Sequence, residues 1–513
     1  MHIPFSAASR RLGVLVALAL GSALALGALP ADASTYGATS PVVASFGATD
    51  PFAGCTADNA SVQESTFGST LYPAAEPEPQ ADINPTNPLN IAGAYHEDRW
   101  SDGGDRGLAS SWTTDGGLTW GQTVVPGITK CSGGKFDRAS DPWVSFGADG
   151  TLYGIWLVFD VFDTDNGILV SKSTNGGQTW SAPITVNEDL TNGDDKQSIT
   201  ADPNHANLVY AAWDRFLSPP SFHANDNGRF HARSYVQQAY FSRTTDGGAT
   251  WETPRVLYNP GTQAGTIGSI ISVLPNDTLV DGLVVFADHK AKLQGASVAV
   301  VRSFDQGVSW EKKATIVAPL DTSFPGPFDP DHPSQAIRSG GLPAFAVDPS
   351  TGALYAVWED DVTTPGIDEI RFSESTDGGS TWSAPIKINQ TPTSVPAGDQ
   401  QAFTPEVEVA ADGTVGVTYY DFRNNTSDPG LTTDYWLVHC HSACSSPSSW
   451  TGNETHVGGP FDTEQAANAG GYFLGDYEGL VATGNAFGAF FDMALNQTTN
   501  PSDVFYSLVS PTP

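Results

Sequence analysis

The chain has 513 residues, with 23 basic and 57 acidic side chains and a formal net charge of −34. Such an excess of negative charge repels a phosphate backbone over most of the surface, which excludes nucleic acid as a partner and reads as solubility outside the cell. Glycine (53), proline (36) and tryptophan (13) are abundant while only 16% of residues are charged, the composition of many short strands joined by turns.

The first element in chain order is an export signal. Arg10 and Arg11 precede an apolar run from Leu12 to Leu29, closed by Pro30 and by Ala31-Asp32-Ala33, which has the small-x-small form that a signal peptidase cuts. Residues 1–33 are expected to be a signal peptide, with the twin-arginine route open, and the mature protein to be secreted, extracellular and free of the membrane. The length that remains suits one large repeat fold. Four cysteines in an exported chain imply two disulfides. The short spacing of Cys440 and Cys444 suits a small hairpin loop, which leaves Cys55 for Cys131.

A ten-residue motif then recurs five times. It reads Ser111-Trp-Thr-Thr-Asp115-Gly-Gly-Leu-Thr-Trp120, and returns at Ser171–Trp180 with Asn175, Ser242–Trp251 with Asp246, and Ser373–Trp382 with Asp377. A weaker copy, Arg302–Trp310, carries Asp305. From one Asp or Asn to the next the intervals are 60, 71, 59 and 72 residues. Each copy reads as a hairpin turn: the Asp or Asn side chain accepts turn amides, the glycines permit positive φ, and the closing Trp packs between sheets.

Between the motifs lies a second repeat, a hairpin of two apolar strands ending in an acid. Copies run from Pro142 to Asp160, Ser198 to Asp214, Leu342 to Asp360 and Pro405 to Asp421, with looser ones from Pro79 to Asp98, Ile270 to Asp288 and Tyr477 to Asp492. Turns such as Asp202-Pro-Asn, Asp348-Pro-Ser and Asp412-Gly suit tight reversals.

The ten-residue motifs resemble the Asp boxes of sialidases and other BNR-repeat propellers, where each blade carries the box at the turn between its third and fourth strands. The resemblance implies an all-β protein, a β-propeller of four-stranded antiparallel blades. Seven hairpins give seven blades; the sialidases have six, the number reached here if one looser hairpin is not a blade. In the sixth blade Tyr435–Cys440 reads as the third strand, and the Cys440–Cys444 loop followed by Trp450 replaces the box. Val504–Val509 reads as the third strand of the seventh. Residues 34–75 are expected to donate its closing strand, through Ser65–Tyr72, with the propeller spanning 76–513.

In this arrangement the boxes are structural, and chemistry belongs to the opposite face, where the inner hairpins begin and end. Residues on that face include His96, Glu97, Asp98 and Arg99; Asp137, Arg138 and Asp141; Asp160; Asp194, Asp195 and Lys196; Asp214 and Arg215. Later ones are Asp288, His289 and Lys290; Glu359, Asp360 and Asp361; Glu406; Asp421 and Arg423; Asp476, Tyr477 and Glu478; and Asp492. An acid ending every second strand suits loop capping, since capping repeats and catalysis does not.

Sialidases hold the substrate carboxylate with an arginine triad, and use an Asp as acid/base and a Tyr paired with a Glu as nucleophile. By position, the resemblance assigns Tyr477 as nucleophile, Glu406 as its partner, Asp98 or Asp141 as the acid, and Arg99, Arg138, Arg215 and Arg423 as the clamp. The first blade departs from the family: His96-Glu-Asp-Arg-Trp100 stands where a Phe/Tyr-Arg-Ile-Pro signature belongs.

The expected activity is that of a sialidase-like glycoside hydrolase acting on extracellular glycans as a monomer, with no cofactor required and a structural calcium ion left open. Two other readings stand beside it. One is a non-catalytic propeller binding glycan or protein through Trp100, Trp143, Trp213 and Phe216; the other is a polysaccharide lyase using His96 or His289 beside Tyr477. No phosphate-binding loop, Gly-x-Ser-x-Gly elbow or zinc-binding His spacing is present. Asp163-Thr-Asp165-Asn-Gly167 resembles only the start of a helix-flanked calcium loop.

Overall fold

The computed structural model describes residues 35–217, 236–287, 295–321 and 326–512. The expected signal peptide and the candidates Asp288, His289 and Lys290 lie outside the described residues. Strands dominate, in antiparallel four-stranded meanders. The second strands are apolar on both faces, as in Leu152–Phe159 and Leu354–Asp360, because each sheet is covered by a neighbour on either side. Among the described residues no helix is long and apolar enough to cross a membrane.

The first strands of the meanders are Gln80–Ile83, Arg138–Phe146, Gly193–Ala201, Ala264–Val273, Ala344–Val347, Ala402–Val409 and Gly479–Thr483. Each packs beside the first strand of the next meander, and Gly479–Thr483 packs beside Gln80–Ile83. Four of these strands carry a bulge, at Ser140/Trp143, Asp195/Ser198, Ile267/Ile270 and Phe403/Glu406. The bulges place Asp141, Lys196, Gly268 and Thr404 at positive φ (52°, 45°, 78° and 47°), and Glu78 (57°) holds the same conformation just before Gln80. Non-glycine residues adopt this conformation at a cost, so its recurrence at Glu78, Asp141 and Lys196 marks backbone held by its surroundings.

The repeated motif forms the turn between third and fourth strands. Asp115 Oδ1 accepts the Leu118 and Thr119 amides at 3.0 Å, and Oδ2 accepts the Thr119 hydroxyl at 2.6 Å. Asp246, Asp305 and Asp377 accept the matching amides of Thr250, Ser309 and Thr381. Each closing Trp reaches the preceding meander: Trp120 meets Phe490 and Tyr506, Trp180 donates to Ser110, and Trp310 meets Phe241 edge-on. Trp450 makes the equivalent contact with Phe372, in a loop closed by the Cys440–Cys444 disulfide. Cys55 and Cys131 form the other disulfide.

The strand completing the last meander is not Ser65–Tyr72. Tyr36–Ala38 pairs with Ser502–Pro511, with Tyr36 opposite Pro511 and Ala38 opposite Val509, and Val42–Val43 continues along the same strand. Ser65–Phe67 belongs to the helix Ala60–Phe67, ended by Gly68 in the left-handed region (φ 71°). Leu71–Tyr72 pairs instead with Arg99 and Trp100. Tyr36 anchors the pairing with a large ring buried against His439 and Phe487.

Candidate functional site

The bulged first strands bring charged side chains from several meanders to one place. The Lys196 ammonium lies 2.6 Å from Asp476 Oδ2, 3.0 Å from Glu78 Oε1 and 3.3 Å from Asp141 Oδ2. Arg338 forks onto Asp476, with Nη2 to Oδ2 at 2.8 Å and Nε to Oδ1 at 3.1 Å. His96 sits between Glu78 (2.6 Å from Nε2) and Asp105 (2.7 Å from Nδ1). Burial opposes a charge on His96, but Asp105 and Glu78 outweigh it and push the imidazolium up to about 9. Burial likewise works against the Asp141 carboxylate, yet Lys196 and His96 hold it below the usual range. A metal ion among Glu78, His96 and Asp141 would stand against the Lys196 ammonium, which already supplies the positive charge there.

Beside this network opens a pocket of about 290 Å³. Its walls include Arg99, Lys196 and Arg338, the acids Asp141 and Asp195, and Asn166, Asn192 and Phe216. Asp195 precedes Lys196 in the bulge and accepts its amide at 3.0 Å. Burial, and then the charge of Asp141, push Asp195 up to about 7 despite Lys196. The pocket is therefore lined by two carboxyl groups of unequal proton affinity, Asp141 ionised and Asp195 keeping its proton up to about 7, the condition for acid and base roles in one reaction.

Of the residues given catalytic or clamping roles by resemblance, Arg99, Asp141 and Tyr477 lie at this centre, together with His96, Asp195, Lys196 and Asp476 from the same predicted face. Arg99 donates to Gly104 O at 2.9 Å and stacks over Phe473, as Arg338 does. The Tyr477 hydroxyl donates to Pro142 O at 3.1 Å and its ring meets Trp143 edge-on. Glu406 is not its hydrogen-bond partner: Glu406 accepts the Val407 amide, and the two residues share only the lining of a small central cavity of about 30 Å³.

The other three arginines do not converge on the pocket as a clamp. Arg138 is held by Asp102 and Gln63 and stacks on Trp100. Arg215 pairs with Asp194 at 2.8 Å, and Arg423 with Asp421 (2.6 Å) and Glu454 (2.5 Å). Each is claimed by an acid within its own neighbourhood, the local pairing that adjacent opposite charges favour. Asp98 accepts the Ala74 amide at 2.8 Å and faces Arg106. Asp160, Asp214 and Asp360 likewise accept the amides of Asp137, Gly268 and Asp321, so the acids ending second strands tie down loops.

Glu78 and Arg338 were not legible as site residues. Glu78-Pro79 matches Asp141-Pro142 and Thr404-Pro405 as a positive-φ residue followed by proline, a likeness that the apolar alternation of the strands does not bring out. Arg338 precedes its meander in Ile337–Arg338, which pairs with Tyr472–Phe473 outside the repeats. No internal similarity marks it.

The buried acids set the pH response of the fold. Burial is the main cause that pushes Asp98 and Asp214 up to about 7 and Glu359 and Glu406 to about 8. Their folded values lie above the unfolded ones near about 4, so their contribution is complete below that point and is lost as pH rises towards 7–8. His96 acts in the same direction, its contribution complete below about 6.5 and lost as pH rises through about 9. Thermal unfolding in a chelating buffer should give a higher Tm at pH 5 than at pH 8.5. A Tm that rises with pH across this range would contradict the reading.

Among solved structures, the chain is similar to a Hadza microbial sialidase at 15% identity, covering 83% of this chain and 74% of that one, with a TM-score of 0.45. An α-L-arabinofuranosidase from Fusarium graminearum aligns at 14% identity over 72% of this chain and 92% of the other, with a TM-score of 0.41. The leech intramolecular trans-sialidase aligns at 13% identity over 91% and 70%, with a TM-score of 0.42. No family model matches the chain, and no curated protein does.

Proposed function

We propose that the chain is an exported glycoside hydrolase on a closed, seven-bladed β-propeller. Its five repeats act as Asp boxes, and its active site is the pocket beside Lys196. The observation that carries this reading is the pair of carboxyl groups lining it, Asp141 held ionised and Asp195 pushed up to about 7. Asp195 protonates the glycosidic oxygen as the bond breaks, and the Asp141 carboxylate stabilises or captures the oxocarbenium-like centre, directly or through water. Lys196 and Arg338 are already paired with acids, so Arg99, whose Nε has no hydrogen-bond partner, is the cation on these walls that favours an acidic sugar, and a sialoside is the first substrate to test. Tyr477, whose hydroxyl is engaged by Pro142 O and whose ring lines the small cavity instead of this pocket, is not the nucleophile.

The purified protein should release fluorophore from an aryl sialoside, tested beside neutral and uronic aryl glycosides. Tyr477→Phe should keep most of that turnover. Loss of all turnover in Tyr477→Phe would restore the tyrosine as nucleophile. A second reading, a glycan-binding propeller, is favoured by the way each cation around Lys196 already faces an acid while Phe216, Asn166 and Asn192 line the pocket. Glycan binding without turnover of any glycoside would establish it.

A further inference from the structure

A second concentration of carboxylates lies away from the pocket, where the N-terminal segment, the first meander and the last meander meet. Glu76 and Glu97 are fully buried, and none of their four carboxylate oxygens has a hydrogen-bond partner. Carboxylate oxygens of Asp50, Glu97 and Asp98 lie within 4.8 Å of one another. Asp503, with one oxygen also unpartnered, adds its charge beside Glu76. The Ser45 hydroxyl and the Val504 amide stand beside Glu76 and partly offset its burial, although the amide is itself bonded to Ser45 Oγ at 3.1 Å. The cation facing the cluster is Arg106, shared between Asp58 (2.8 Å) and Asp98 (3.4 Å) and out of reach of Glu76 and Glu97.

The contrast with the Lys196 network is informative. There every converging carboxylate has an ammonium, guanidinium or imidazolium against it; here two fully buried carboxyl groups stand against each other with no cation against either. Burying an uncompensated carboxylate costs several kcal/mol, so such groups are retained where a proton or a cation completes them.

We infer that Asp50, Glu97 and Asp98, with Glu76 beside Glu97, form a binding site for a divalent cation of the calcium type. The donor set is oxygen only, which disfavours zinc and copper. Several carboxylates able to bind through one or both oxygens in an irregular arrangement suit calcium better than the strict octahedron of magnesium. Asp50 is half-buried and gives the ion a way in. The ion joins the segment that carries Asp50 to the strand Ile91–Trp100, and so fastens the start of the chain where the last meander closes.

The test uses the full chain stripped with a chelator and titrated with calcium or magnesium chloride, followed by calorimetry and thermal unfolding. Calcium should bind at one equivalent and raise Tm, with magnesium at least about tenfold weaker. Glu97→Gln should lose the calcium-dependent part of Tm while leaving pocket activity intact. Glu76→Gln is the second variant should the first not fold. Absence of calcium-dependent heat and Tm shift in the wild type overturns the proposal in favour of protons held on Glu76 and Glu97. A calcium shift that persists unchanged in the folded variant overturns it in favour of a site elsewhere, and equal affinity for magnesium overturns the calcium assignment.

Discussion

Lys196→Met is expected to destabilise the fold by about 3–5 kcal/mol, the range for breaking a buried ion pair by removing one partner. The ammonium is buried, and Glu78, Asp141 and Asp476 converge on it from three different meanders or their connections. Methionine fills much the same volume, so the loss is electrostatic and not a cavity. It leaves three carboxylates to share Arg338 and His96, which keep their present partners. Urea unfolding should show a lower midpoint with an unchanged slope, the signature of lost stability without a change in exposed surface. A loss below about 1 kcal/mol, the value of an exposed pair, would mean that the network does not hold the centre together.

The second large effect is on turnover. Asp195→Asn should lower kcat by about 10²–10⁴ on a substrate with a poor leaving group, the usual contribution of a general acid. An aryl glycoside whose leaving group departs without protonation should be far less affected. The alkaline limb of the pH profile should also move, because it reports loss of the proton that Asp195 holds up to about 7. Asp141→Asn, in contrast, should slow both substrates. Wild-type kcat on both substrates in Asp195→Asn would remove Asp195 from the mechanism, while unchanged unfolding would show that the fold survived.

The repeats made much of the architecture legible. A motif built around an Asp or Asn that satisfies its own turn amides carries its geometry with it, so five turns and their Trp contacts could be placed from local chemistry alone. Trp450 was readable for the same reason, standing after the Cys440–Cys444 loop where a box would end. The closing strand was not: Tyr36–Ala38 is three residues long and has no periodicity to detect. The clamp failed for a different reason. Arg138 and Arg215 are taken by Asp102 and Asp194, acids distant in sequence, and Arg423 by Asp421 and Glu454, pairings that an acid adjacent in sequence does not reveal. Lys196 and Asp141 owe their position to bulges that reverse φ at one residue, which a side-chain alternation pattern does not reveal.

The pairing of Tyr36–Ala38 with Ser502–Pro511 joins residues separated by almost the whole chain. Among the described strands, one near the N-terminal end is thus joined to the most C-terminal one, and this contact waits until the sheets between them are made. Until then the Ser502–Pro511 strand has an open edge, capable of accepting the wrong segment or another molecule. Assembly of this seam is the step that long-range closure makes slow, and crowding during production should harm yield there before it harms any individual sheet.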